Sequence, residues 1–547
     1  MKNTGDIWLS RYESAKNNWQ MMKPLWDDCR RYIMPTESNS DYANTYSEGK
    51  PKVAPCDVTA IDLNEKMAAG LHSSTVSYGD RWFNITHNGG GDAWDRWCAV
   101  ATRNTISEMQ KSNFLSMSYS WIRHTCGYGT GLVYIAEVDG SPRYRNIPVT
   151  DNVCYETDMF GDVCVVYITY FMTALQAVQQ FGKDNPMLSD EIKKEFADGR
   201  SITPKKHEFV HVVYPKSLFG EKVAVADSDE EFPYDEKYRP YGGLFIEKSS
   251  GNVVSRDGFF EFPFAVIRPI RGGDEIYGRS VGMIAMHAIK KLNEATALMF
   301  DASNMAIRPP IGVPAGFPKL NLVPGAVMKC PITSQNQIWT YTTQANIPVG
   351  DNLIARYTEV LRSLFKEDFF MAIQKRGEMT AVEVAERVRQ ASDFISPMVM
   401  NIQHDGFRPI VMRTIGILER SGKIPRRPRD NRNIEVSFQS RLDAMIRQAD
   451  ASRDLQLMNQ MANVGVSTTQ NPDINNVVNL DAVYDELREA MGVNADIFFT
   501  HNERNKRRRA AQEAQEAVMK EQLNAQMMGK TDMTKPIAPD SILGRKM

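Results

Sequence analysis

The stretch Ser280-Val-Gly-Met-Ile-Ala-Met-His-Ala-Ile-Lys-Lys-Leu-Asn-Glu-Ala-Thr-Ala-Leu-Met-Phe-Asp-Ala-Ser-Asn-Met305 decides the architecture of this chain. Ser280 can cap a helix at its start, and Pro309-Pro310 prevent the helix from continuing. At 1.5 Å per residue the helix would be roughly 40 Å long. Its apolar residues recur at steps of three and four, which is helical period: Val281, Ile284, Ala288, Leu292, Ala295, Leu298, Ala302 and Met305.

A proline-rich insert and a second amphipathic helix follow. Seven prolines lie between Pro309 and Pro348, and this density favours short strands and turns over helix. The second helix is expected from about Asn352 to Ile373, so that two long helices flank a compact tip and form a stalk. Its apolar stripe is Ile354, Tyr357, Leu361, Leu364 or Phe365, and Phe369.

The loop Gln374-Lys-Arg-Gly-Glu378 ends the second helix. Thr380 and Glu383 then form the capping-box pattern of a third helix. That helix is expected to continue to about Arg420, with bends near Pro397 and Pro409. A loop at the base of a third helix can project from the stalk, although a plain interhelical turn explains the same residues.

The remaining segments predict an α+β fold that is predominantly helical. Further helices are expected over residues 6–34, 59–74, 92–126, 173–182, 188–197, 441–463, 480–491 and 502–528. Strands are expected over residues 82–85, 132–138, 143–149, 152–157, 163–171, 207–214, 243–247, 260–268 and 433–439. Polar loops are expected over residues 35–55, 227–236 and 423–432.

Composition excludes several classes of protein. Hydrophobic residues make up 42% of the 547 residues and the formal net charge is −2, so nucleic-acid contact would have to come from local patches. The seven cysteines form no Cys-x-x-Cys pair, which favours reduced thiols and argues against a zinc ribbon. Neither a signal peptide nor an apolar run long enough for a membrane span is expected.

Four strings match enzyme motifs but lie in the wrong structural context. His207-Glu-Phe-Val-His211 fits the zincin pattern, which requires a helix, whereas its residues favour a strand. Gly278-Arg-Ser-Val-Gly282 fits the nucleophile elbow, but no strand ends directly before it, so Ser280 is better explained as a helix cap. Gly127–Gly131 precedes a strand, and Asn524–Thr531 lies in a helix, so neither is a nucleotide-binding loop. The sequence therefore predicts no enzyme, no metal and no cofactor.

Several motifs along the chain resemble those of the portal proteins, the head-to-tail connectors of short-tailed bacteriophages. Each motif is weak alone, but their order and spacing are fairly specific and cover nearly the whole chain. They are Gly70-Leu-His-Ser-Ser74 with Trp82-Phe83, Tyr277-Gly-Arg-Ser280, Ile289-Lys-Lys-Leu-Asn293, Arg308-Pro-Pro310, Met379-Thr-Ala-Val-Glu-Val-Ala-Glu-Arg387, and Leu480-Asp481 with Arg488-Glu-Ala-Met-Gly-Val493.

The resemblance implies a portal fold that assembles into a ring, usually a dodecamer, at one capsid vertex. Double-stranded DNA would pass through this ring during packaging and ejection. By resemblance the parts are a wing (1–273), a first stem helix (274–306), a clip (307–349), a second stem helix (350–374), a channel loop (375–379), a long wing helix with its return (380–460), and a crown with the C-terminal tail (461–547).

The expected contacts follow from these parts. Lys375 and Arg376 would face DNA from the channel loop. A basic crown cluster, for which a solvated surface is an equal alternative, comprises Arg504, Lys506, Arg507, Arg508 and Arg509. The apolar residues expected at the clip interface are Ile311, Val313, Phe317, Leu320, Leu322, Val323 and Ile332.

The implied partners are further copies of the chain, double-stranded DNA without sequence preference, the large terminase subunit, a tail adaptor, and the major capsid and scaffold proteins. No membrane is implied. The protein would lie at the portal vertex of the virion and, during assembly, in the host cytoplasm. Two alternatives remain: a capsid-associated, scaffold-like assembly protein without a channel, and a hydrolase built on one of the enzyme-like strings.

Overall fold

The fold is α+β and mostly helical, as the sequence predicts. The computed structural model describes residues 4–35, 55–76, 81–88, 91–151, 153–198, 205–221, 223, 238–273, 275–308, 311–312, 339–340, 347–368, 370, 396–428, 433–438 and 501–531. The predicted features outside the described residues are most of the loop over 35–55, the acidic loop at 227–236, the loop at 374–378, the capping box at 380–383, and the helices at 441–463 and 480–491.

The helices of the described residues lie close to their predicted positions. Residues 396–401 are also helical and lead through a π-helical turn, Ile402–Phe407, into α9. The helices are α1 (Thr4–Tyr32), α2 (Thr59–Thr75), α3 (Asp92–Lys111), α4 (Phe114–Tyr128), α5 (Ala174–Phe181), α6 (Asp190–Asp198), α7 (Val281–Ile307), α8 (Ile347–Leu364), α9 (Arg408–Arg420) and α10 (His501–Thr531).

The strands pair antiparallel throughout the described part of the chain. They form a five-stranded sheet in the order β4-β5-β6-β7-β8, a three-stranded sheet in the order β3-β2-β9, and the pairs β1-β12 and β10-β11. The strands are β1 (Phe83–His87), β2 (Gly131–Val138), β3 (Ser141–Ile147), β4 (Val153–Thr157), β5 (Val163–Thr173), β6 (Lys206–Pro215), β7 (Tyr241–Glu247), β8 (Val253–Phe259), β9 (Phe264–Ile267), β10 (Ile311–Gly312), β11 (Trp339–Thr340) and β12 (Ile434–Phe438).

Aromatic residues fix α1 to the five-stranded sheet and to the end of α4. The Trp8 ring lies 4.5 Å from that of Tyr214, and the Tyr12 and Thr169 hydroxyls are 2.8 Å apart. Further along α1, the Trp26 indole donates to the Tyr128 carbonyl at 3.1 Å. These polar contacts satisfy the groups that burial of Tyr and Trp would otherwise leave unpaired.

The centre of the body is an aromatic cluster around the π-helical turn. Phe407 is completely buried, and its ring lies 5.2 Å from that of Trp82 and 5.5 Å from that of Trp121. Six residues further on, the buried Arg413 donates to the carbonyls of Ile135 and Glu261, both at 2.9 Å. Helix α9 is thus fixed to β2 and to the segment before β9, because a buried cation needs these acceptors.

The structure adds one strand and moves both ends of α8. Strand β8 was not predicted, because Arg256 and Asp257 are exposed and break the apolar pattern of this edge strand. Helix α8 begins at Ile347 and not at about Asn352, since proline is tolerated in a first helical turn, where Pro348 lies. The same helix ends at Leu364 and not at Ile373, because Lys366 has a φ of +56°.

Candidate functional site

Helices α7 and α8 pack against each other and form the predicted stalk. Gly350, in the first turn of α8, lies against Met299 in the second half of α7, so close that a Cβ on Gly350 would be 2.2 Å from the Met299 sulfur. Helix α8 therefore starts near the end of α7 and runs back toward the body, where its Leu361 and the following Phe365 are buried.

The first half of α7 is anchored in the body. Met286, Ile289 and Leu292 are buried on this half. The Lys290 ammonium forms an ion pair of 2.5 Å with Asp28 of α1, and the Asn293 amide oxygen accepts from the Asp57 backbone N–H at 3.1 Å. Apolar burial and these polar contacts together fix the direction in which the stalk leaves the body.

Ser280 caps α7, as predicted. Its hydroxyl oxygen accepts from the Met283 N–H at 3.0 Å and its hydroxyl donates to the Gly127 carbonyl at 3.0 Å. Gly129 has a φ of +73° and touches the backbone of Gly278. Both the left-handed backbone and the close contact between the two segments require glycine at position 129. The string over 278–282 is therefore a helix start with a fully buried serine.

The second half of the stalk exposes apolar side chains on a surface that the sequence pattern did not predict. Leu298 is 62% exposed, and Met305 lies on the same side of α7. Phe300 and Ile307 are 59% and 77% exposed and lie about 180° around the helix from that side. Helix α8 adds an exposed stripe of Val349, Leu353, Val360 and Leu364. The stalk thus carries exposed apolar residues on opposite flanks.

The sequence contained part of this signal. Leu298 and Met305 belong to the predicted apolar stripe of α7, but Phe300 and Ile307 fall outside it. Apolar residues outside a single stripe indicate a helix with more than one buried face. Tertiary packing decides which faces of α7 the body covers. The sequence alone therefore did not show that both flanks stay exposed.

The zincin-like string lies on strand β6, as predicted. His207 and His211 pair with Met172 and Ile168 of β5. They are four positions apart on an extended strand, which separates them by roughly 13 Å. The His207 Nε2 atom lies 2.7 Å from a Glu195 carboxylate oxygen. Burial lowers the pKa of His211 to about 3, and its ring stacks on Phe245. Among the described residues, no group of three or more His, Cys, Asp or Glu side chains is arranged to hold a metal ion.

The basic cluster predicted for the crown lies in the first three turns of α10. Lys506, Arg507, Arg508 and Arg509 are exposed, and Arg504 is half-buried. Glu503, just before them, lies 3.7 Å from Arg96 of α3, a surface ion pair that stabilises little on its own. The positive charges surround the helix, because consecutive residues are 100° apart.

The other predicted contact residues lie wholly or partly outside the described residues. Lys375 and Arg376 are outside them, as are the clip side chains at 313, 317, 320, 322, 323 and 332. Of the clip, the structure describes the backbone pairing of Ile311 with Thr340 and of Gly312 with Trp339. These short strands agree with the strands and turns predicted for the insert.

The sequence profile described as "Bacteriophage head to tail connecting protein" matches residues 7–498. The chain belongs to this family. Its resemblance to portal proteins is thereby confirmed, and the connector is a structural protein of the phage virion and not an enzyme. Among curated proteins, no sequence matches this connector.

Family membership also defines the setting of this connector. It lies at the junction of head and tail and associates with capsid and tail components. Within the described part of the connector, no helix is both long and apolar enough to cross a membrane.

The cap at Ser280 gives a testable prediction. Ser280→Ala should lower the free energy of unfolding by about 0.5–2 kcal/mol, because α7 loses its cap hydrogen bond. Urea unfolding followed by tryptophan fluorescence measures this loss. Ser280→Thr keeps the hydroxyl and serves as the control. A hydrolase activity present in the wild type and lost in Ser280→Ala would contradict the assignment of this serine as a helix cap.

Proposed function

We propose that this connector assembles into a closed ring at one capsid vertex and conducts double-stranded DNA during packaging and ejection. The ring also serves as the docking platform for the packaging terminase and later for the tail adaptor. Family membership supports the location, and the exposed flanks of the stalk support the ring.

The two apolar flanks carry this proposal. In a cyclic ring each subunit contacts two neighbours through two different surfaces. The stalk offers Leu298 with Met305 on one side of α7 and Phe300 with Ile307 on the other. A fully buried side chain of this size contributes about 1.5–3 kcal/mol, so each contact between stalks gains several kcal/mol from these residues.

The parts of the ring follow the family pattern. We assign residues 1–273 to the wing, α7 and α8 to the stem, and the insert between these helices to the clip. The channel loop is placed at 375–379, the long wing helix and its return at 380–460, and the crown and tail at 461–547. The paired β10 and β11 at the far end of the stalk support a compact clip.

A DNA conduit must hold its cargo weakly and without sequence preference. Each Lys or Arg that pairs with a phosphate tightens binding and makes it depend on salt. A few basic side chains therefore suit a channel better than a continuous basic groove. Lys375 and Arg376 are assigned to the channel wall, and the basic residues of α10 to contact with packaged DNA.

The clip is assigned to terminase docking. The insert contains Ile311, Val313, Phe317, Leu320, Leu322, Val323 and Ile332. It joins the end of α7 to the start of α8, the end of the stalk that lies away from the buried half of α7. Apolar residues in such a position are typical of a surface that binds a partner.

The stalk contacts give the first prediction from this function. Phe300→Ser with Ile307→Ser should abolish rings, and so should Leu298→Ser with Met305→Ser, because every contact uses both flanks. A mixture of the two variants should form heterodimers but no rings. The intact flank of one variant can contact the intact flank of the other, and neither subunit then has a second intact flank for a further contact. Mass photometry and negative-stain microscopy report these species.

The control for the stalk variants is Met159→Ser with Phe160→Ser. These two side chains are 89% and 74% exposed, but they lie in the turn between β4 and β5. This variant should form rings as the wild type does. Rings of normal size from either stalk variant would contradict the assignment of the flanks.

The clip gives a second prediction. Replacing residues 313–338 by a short Gly-Ser bridge should abolish binding of the large terminase subunit while leaving a soluble ring. A pull-down with purified terminase measures binding, and size-exclusion chromatography verifies the ring. Undiminished terminase binding would refute the docking role of the insert.

The basic residues give a third prediction. Lys375→Ala with Arg376→Ala, and separately neutralisation of Arg504, Lys506, Arg507, Arg508 and Arg509, should leave rings intact but reduce the DNA retained in packaged particles. The loss should be largest at low salt and shrink as salt rises, because salt weakens the same phosphate contacts in the wild type. It should be equal for DNA of any sequence, because phosphate contacts carry no base information. The control replaces Glu513, Glu516 and Glu521 of α10 by Gln. Equal retention in the basic variants and the wild type across a salt series would refute DNA contact.

A further inference from the structure

Helix α8 ends in a left-handed turn formed by a lysine. Lys366 has a φ of +56°, and in the described part of the chain only Asp139 is a second non-glycine residue with positive φ. A Cβ in this region crowds the following carbonyl, which lowers the population of such a conformation roughly ten-fold. The surrounding structure must therefore hold Lys366 in place.

The turn brings two phenylalanines into the body. Phe365 is 1% exposed and Phe370 is 3% exposed. In an uninterrupted helix, residues five apart point about 140° away from each other, so both rings could not face the body together. The left-handed residue between them removes this mismatch, and the burial of Phe370 depends on it.

Phe370 and Glu367 hold this turn against α2. The Phe370 ring lies on Gly70, where a Cβ would be 2.1 Å from the ring carbon Cδ1. The Glu367 carboxylate lies 2.7 Å from the Lys66 ammonium on α2 and 3.2 Å from the Arg362 Nε atom on α8. Two contacts therefore hold the turn: the Phe370 ring in the notch at Gly70, and the ion pair of Glu367 with Lys66. We call these two contacts the latch.

Nothing in the local sequence requires the helix to end at Leu364. The segment Leu361-Arg-Ser-Leu-Phe-Lys-Glu-Asp-Phe-Phe370 contains neither glycine nor proline. Its residues are able to continue α8 in ordinary helical conformation, which removes the left-handed lysine. The conformation with a left-handed Lys366 is stabilised by the latch. A continuous helix lacks the latch but is free of the backbone strain at Lys366.

We infer that the end of α8 is a two-position hinge between stalk and body. In the bent position, seen here, Phe370 occupies the Gly70 notch and Glu367 pairs with Lys66. In the straight position α8 continues through residue 370 and the latch is open. The hinge changes the direction of the residues that follow Lys366 without unfolding α8. It does not depend on ring formation or on DNA.

Spin labels measure the two positions directly. One label is placed at Asp368→Cys and the other at Ser73→Cys on α2, in full-length chain with Cys56→Ser, Cys164→Ser and Cys330→Ser, because Cys164 is partly exposed. Labelled chain is diluted with unlabelled chain so that distances between copies are rare. The wild-type hinge should give mainly one short distance. Gly70→Ala closes the notch and should add a second, longer distance.

Phe370→Ala removes the ring without any clash and should add the same longer distance, which keeps the test valid if Gly70→Ala fails to fold. In the Phe370→Ala background, Lys366→Gly should lower the ratio of long to short distances roughly ten-fold, because glycine tolerates the left-handed turn. Asp139→Gly relieves the same backbone strain in the turn between β2 and β3 and should change nothing.

Three results would overturn the hinge. The first is an unchanged single distance in both Gly70→Ala and Phe370→Ala. The second is a broad continuum of distances, which indicates a frayed helix end and not a straight helix. The third is an equal effect of Lys366→Gly and Asp139→Gly.

Discussion

The packing of Met286, Ile289 and Leu292 into the body determines the direction of the stalk, and the rest of the architecture depends on it. Because one face of the first half of α7 is buried and its start is capped by Ser280, the second half extends away from the body. Its apolar side chains then have no cover within the described part of the chain. A surface of this kind costs free energy in water and is stabilised by contact with another protein surface.

The body gives the stalk a rigid base. Phe407 fills the centre of an aromatic cluster, and the Arg420 guanidinium bridges Glu261 at 2.6 Å and Glu137 at 3.0 Å. Together with the bonds from Arg413 to Ile135 and Glu261, these contacts join α9 to the three-stranded sheet. Buried cations with paired carboxylates hold one geometry, because breaking a pair leaves an uncompensated charge.

Local chemistry explains which predictions from the sequence were confirmed. The cap at Ser280 and the strand at His207–His211 were predictable because cap residues and β-branched runs act within a few neighbouring residues. The end of α8 was not predictable, because Lys366 turns left-handed only to let Phe370 reach Gly70, some three hundred residues earlier in the chain. The exposed flanks were predictable only in part, since Phe300 and Ile307 show that α7 has a second apolar side but not what covers it.

We propose that the exposed flanks of the stalk close copies of this connector into a ring. Negative-stain microscopy of the purified full-length chain, combined with mass measurement of the particles, tests it most directly. We expect rings with a central hole and a single mass that is an integral multiple of 61.9 kDa. Irregular assemblies of mixed mass, or a discrete small particle without a hole, would contradict the ring.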